Sequence, residues 1–132
     1  METQKEKPLE ILEKWLIYAK NGDWEKMVEL CQLTWLSGEN EAEEYIKSLY
    51  LFHYIKKWGI ITQIENAECK KRYLVPIITA QGNYYMKPNV ICEIGPFTPD
   101  VGGTWGINPI SAMLKKSPIE EYKPYIEKIE ME

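Results

Sequence analysis

The chain predicts an α+β fold, with helices first and a curved antiparallel sheet after them. Three observations carry this. Before residue 60 the apolar residues recur at helical spacing, as in Leu9, Leu12, Trp15, Leu16 and Ala19. After residue 60 the chain turns to β-rich runs, such as RYLVPIITA and NVICEIG, divided by glycine, asparagine and proline. The links between those runs are short, which suits hairpins and an antiparallel sheet. Helices segregated ahead of strands mean that the helices cover one sheet face.

The first helix should open near Pro8, where a missing N–H costs nothing. Asn21-Gly22 supplies its left-handed stop, and Asp23 is placed to cap the next helix through its carboxylate. That second helix carries Trp24, Met27, Val28, Cys31 and Trp35 on one stripe and ends at Ser37-Gly38-Glu39-Asn40. A third helix is expected over about 41–58, acidic at Glu41, Glu43 and Glu44 and basic at Lys56 and Lys57. Its middle, LYLFHYI, is apolar on nearly every side, so more than one layer should cover it. A first strand follows Ile60, Ile61 and Ile64. RYLVPIITA is the second, and its Pro76 suggests an edge or a bulge. Gly82-Asn83 reads as a two-residue hairpin turn, and the loop PFTPDVGG precedes a closing strand, GTWGINPISAML. Ser117-Pro118-Ile119-Glu120 fits a capping box at the head of a C-terminal tail.

At 132 residues the chain suits a single domain, with a core over about 8–114 and a tail over 115–132. A net charge of −4 argues against a nucleic-acid partner. No apolar run approaches the ~20 residues of a membrane span. METQKEKPLE lacks the apolar segment of a secretory signal, so a cytoplasmic location is expected. Cys31, Cys69 and Cys92 are odd in number and far apart. That pattern fits neither a zinc site nor a disulfide framework, and reduced, partly buried thiols are the expectation. Neither a metal nor a cofactor is expected.

Helix, Gly-Asp-Trp corner, helix, long helix and a run of antiparallel strands together resemble the nuclear-transport-factor-2-like superfamily, of the cystatin-like kind. The resemblance covers roughly residues 8 to 114. It rests on NGDWEKMVELC, EEYIKSLYLFHYIKKWG and GGTWGINPI. It implies a cone in which a curved sheet wraps a long helix, a shape that tends to leave an interior pocket. The family's short strand between its second and third helices has only TWLSGEN in its place here. Members of the superfamily use the cone as an isomerase or dehydratase pocket, a ligand site or a packed core, and fold alone does not choose among these.

His53 falls near Ala42, Ile46 and Leu49 on the apolar face of the third helix, so it should point inward. It is there either as a satisfied core residue or as an acid–base group. Its candidate partner is Glu93. Within NVICEIG, Val90, Cys92 and Ile94 share one face, and Ile91 and Glu93 the other. Glu93 looks into the cone if the second face is concave and is a surface carboxylate if it is not. Asp23 and Asp100 do not match the superfamily's isomerase pattern, and the dehydratases' histidine pairing finds only one histidine.

The expected pocket is lined by Trp15, Tyr18, Tyr45, Leu49, His53, Glu93 and Trp105, and suits a small apolar ligand. The leading expectation is a non-catalytic domain that binds such a ligand or a protein partner. A homodimer through the sheet's outer face is also expected, because both faces of RYLVPIITA are apolar. The alternative is a small isomerase, dehydratase or cyclase-like enzyme using His53 and Glu93 as acid and base.

Overall fold

The computed structural model describes residues 7–36, 41–50 and 55–116. His53 and the tail from 117 onward lie outside the described residues, as does the side chain of Leu49.

Helix α1, Lys7–Asn21, carries Ile11, Leu12, Trp15, Leu16 and Ala19 on its buried stripe. Gly22 ends it in the left-handed conformation, with φ of 69°. The Gly22 N–H bonds to Ala19 O at 3.2 Å and the Asp23 N–H to Tyr18 O at 2.9 Å, the pair of contacts that defines a Schellman end. Asp23 stands at the cap of α2, Trp24–Glu29, but its side chain makes no capping bond. Its backbone carbonyl accepts from Met27 instead.

Two helix boundaries differ from the spacing-based expectation. The second helix stops at Glu29 and does not run through Trp35. Leu30 caps α2 in the helical region, Cys31 leaves the helix to form a β-bridge, and a one-turn helix, α3, follows at Leu33–Leu36. The cause is long-range. Leu30 O accepts from Ile107 N at 2.8 Å, and Gln32 N donates to Ile107 O at 3.0 Å. Cys31 thereby forms a parallel bridge with Ile107. The helix expected over 41–58 appears as α4, Glu41–Tyr50, and Lys56 and Lys57 belong to strand β1, Ile55–Trp58. An apolar run such as LYLFHYI cannot be divided between helix and strand by periodicity alone.

The sheet is built on β3, Lys70–Thr79. β1 and β2, Thr62–Asn66, follow one another along one side of it, with register shifts at Ile55/Lys57 and Gln63/Glu65. β4, Gly82–Met86, and β5, Asn89–Gly95, run along the other side in a single register. β6, Thr98–Pro99, and β7, Thr104–Ile107, pair with β5, while β8, Lys115–Lys116, pairs with β4. Every strand pairing within this eight-stranded sheet is antiparallel. Bulges of this kind bend and twist a strand pair, which curves the sheet.

Pro76 therefore sits in the central strand and not at an edge. It lies opposite the interruption between β1 and β2, where its carbonyl accepts from Gly59 N at 3.0 Å. The turn after β3 is Ala80-Gln81, two residues earlier than expected. Thr79 pairs with Gly82, and Thr79 Oγ1 accepts from Gln81 N and donates to Gly82 O, each at 3.1 Å. The closing strand ends at Ile107 and passes into a 3-10 turn, Pro109–Ala112.

Tyr73, Val75 and Ile77 of β3, Met86 of β4, Val90 of β5 and Ile107 of β7 face the helices. They form one buried cluster with Trp15, Leu12, Leu16, Met27 and Ile46. On the opposite face Leu74 and Pro76 are also buried, and Ile78 is half-buried. The outward apolar residues of this strand are thus largely covered within one chain. Among the described residues no helix is long and apolar enough to cross a membrane.

Candidate functional site

β5 places Glu93 one residue out of phase with Val90 and Cys92. Its side chain therefore leaves the sheet on the face opposite the Trp15 cluster. It is nonetheless buried, at 2% exposure. The segment that covers it runs from Gln32, in the link after α2, into the first turn of α3. Gln32 Nε2 donates to Glu93 Oε2 at 2.8 Å, and Thr34 Oγ1 donates to the same oxygen at 2.6 Å. Thr34 N donates to Glu93 Oε1 at 2.9 Å. One carboxylate thus takes three donors from two neighbouring residues far away in sequence. The Thr34 N–H is one of the orphan amides of the α3 first turn, where negative charge is favoured.

The network continues outward. Phe97 N donates to Thr34 Oγ1 at 2.7 Å. Because Thr34 Oγ1 accepts from Phe97, its own hydrogen is free to point at Glu93, so the chain of bonds has a defined direction. Gln32 is oriented too, since turning its amide would set Oε1 against Glu93 Oε2. In the orientation observed, Gln32 Oε1 has no protein donor. Phe97 adopts φ of 59°, rare for a residue with a side chain. Phe97 is 82% exposed, with Ile94 and Val101 exposed nearby in sequence.

Gly106 lets the covering segment approach, and Gly103 lets the chain entering β7 lie against the backbone of β5. A Cβ on Gly106 would stand 2.4 Å from Gln32 Cα and 2.6 Å from Gln32 N. A Cβ on Gly103 would stand 2.1 Å from Glu93 O. Glycine inside a strand often marks such a close backbone approach. In GGTWG that signal is legible in the sequence, although the partner segment is not.

The other expected pocket residues divide as follows. Trp15 is fully buried in the core, and Trp105 packs partly buried against it with Lys71 Nζ 6.0 Å from its ring centroid. Tyr45 stacks on Trp35 at 5.5 Å between ring centroids, and Tyr18 receives Lys26 Nζ at 5.8 Å. The sheet separates Glu93 from Trp15 and Trp105, so these residues do not line one pocket. Gln32, Thr34 and Phe97 belong with Glu93, and sequence spacing did not reveal them. Among the described residues no group of three or more His, Cys, Asp or Glu side chains is placed to hold a metal ion. Burial pushes the Cys31 thiol up to about 12 and raises the Tyr73 phenol, so neither is suited to ionise near neutral pH. No family model, curated protein or solved structure matches the chain.

Proposed function

We propose that this chain is a non-catalytic, cone-like binding domain of the nuclear-transport-factor-2-like kind, which pairs with a second copy of itself. The observation that carries the reading is the use made of Glu93. Its carboxylate is occupied by three donors of its own chain, and the chain of bonds ends on the backbone of an outward-facing phenylalanine. A carboxylate so engaged is a poor general base, which needs reach to a substrate proton. A buried network that instead fixes a strained, exposed aromatic residue suits recognition.

The contact is centred on Phe97, with Ile94 and Val101 exposed near it in sequence, and not on the outer face of β3, whose apolar residues are mostly covered. In a two-fold pair each tip inserts its phenylalanine against the apolar tip of the other, so one surface serves both copies. Sedimentation velocity tests this. The unmodified protein should shift from one chain toward two as its concentration rises to high micromolar. Phe97→Asp should stay a single chain with an unchanged melting temperature, because the ring makes few contacts within its own chain. An unmodified protein that remains a single chain throughout, or a Phe97→Asp variant that pairs normally, would reject the reading.

A further inference from the structure

The topology brings together two cysteines that lie far apart in sequence. β3 and β5 pair Lys70 with Ile91, Lys71 with Val90 and Arg72 with Asn89. The next rung of that register sets Cys69 opposite Cys92, and the Cys92 N–H donates to Cys69 O at 2.8 Å. A hydrogen-bonded antiparallel pair holds its Cα atoms about 5.5 Å apart, inside the roughly 4.4–6.8 Å that a disulfide spans. We propose that Cys69 and Cys92 form a redox-modification site, at which the two thiols join in a reversible cross-strand disulfide.

The two thiols have different environments. Cys92 is buried, and its Sγ lies 3.9 Å from Val101 O, to which it donates. Burial raises its pKa against a nearby Gly103 N–H, and the charges of Cys69, Asp100 and Glu93 raise it further. That the charge of Cys69 reaches Cys92 agrees with their opposition across the strands. Cys69 lies half-exposed in the bend before β3. Cys31 is buried on the helix-covered side and bridges Ile107.

The thiolate is the attacking species, so the accessible Cys69 starts the exchange. With oxidised glutathione as the oxidant, Cys69 attacks one of its sulfurs, forms a mixed disulfide and releases one glutathione thiolate. Cys92 then attacks the Cys69 sulfur, and the second glutathione leaves. Two protein thiols are oxidised, one glutathione disulfide is reduced to two thiols, and the two protons pass to the departing glutathiones. Cys92 never needs to meet the external reagent, which fits its burial.

The test treats the native full-length protein with oxidised glutathione, quenches in acid, and measures intact mass and non-reducing peptide maps. The unmodified protein and Cys31→Ser should each lose two hydrogens and yield one linked peptide joining Cys69 to Cys92, reversed by dithiothreitol. That linked peptide should disappear in Cys69→Ser. Cys92→Ser should stop at one glutathione carried on Cys69. Should Cys92→Ser fail to fold, Cys69→Ser and the unmodified peptide map still decide, because Cys69 is half-exposed and its replacement is mild. A link involving Cys31, stable glutathione addition to the unmodified protein without a cross-link, or no reaction of the native thiols would each overturn the proposal.

Discussion

Replacing Glu93 by leucine should lower the free energy of unfolding by about 3–5 kcal/mol, measured by urea denaturation. The change leaves the Gln32 amide, the Thr34 N–H and the Thr34 hydroxyl without their acceptor. Each buried donor left unpaired costs about 1–3 kcal/mol, and the apolar burial of leucine offsets only part of the total. Glu93→Gln keeps the volume and one acceptor oxygen, so its cost should be smaller, about 1–3 kcal/mol. A carboxylate kept for chemistry behaves differently, because replacing active-site groups often leaves stability unchanged or improved. The sign of the Glu93→Leu effect therefore separates the structural role from the catalytic one.

Gly106→Ala should cost about 3 kcal/mol or more, an unusually large penalty for adding one methyl group. The new Cβ would fall within 2.7 Å of three backbone atoms, Gln32 Cα, Gln32 N and Cys31 C. Backbone cannot swing aside as a flexible side chain can, so either the Cys31–Ile107 bridge opens or β7 shifts. The matched control is Gly95→Ala, whose Cβ would meet nothing within 4 Å. That variant should change stability by less than about 0.5 kcal/mol. Equal effects at the two glycines, read by urea denaturation, would show that the covering segment does not lie against β7 as described.

The parts of this fold set by local chemistry were legible in the sequence, and the parts set by distant pairing were not. Pro8, the apolar stripe of α1 and the Asn21-Gly22 stop act within a few residues of themselves, and each stands where its spacing predicts. The α+β order follows from the same local patterns. The early end of α2 has no local cause, since Cys31 and Trp35 continue a perfectly good helical stripe. The chain leaves the helix there because Ile107, in the last long strand, takes two of its backbone bonds.

The same distinction governs the site. Alternation along NVICEIG placed Glu93 correctly on the face away from Val90. It could not tell whether that face was concave, exposed or, as here, covered by residues 32–34. The opposition of Cys69 and Cys92 was equally hidden, because cysteine spacing along a chain carries no register. His53 lies outside the described residues, and the acid–base alternative that needs it would also have to free Glu93 from its three donors.

Glu93 holds Thr34, and through Thr34 holds Phe97. Native-state hydrogen exchange followed residue by residue tests this linkage most directly, because it reads the two backbone donors in the chain of bonds. The Phe97 amide lies in an exposed turn and would exchange freely if nothing held it. In the unmodified protein the Thr34 and Phe97 amides should both exchange slowly, and Glu93→Gln should speed both together while leaving the Val75 and Ile77 amides of β3 protected. A Phe97 amide that exchanges at the rate of an open turn in the unmodified protein, or protection of both amides that survives Glu93→Gln undiminished, would contradict the account.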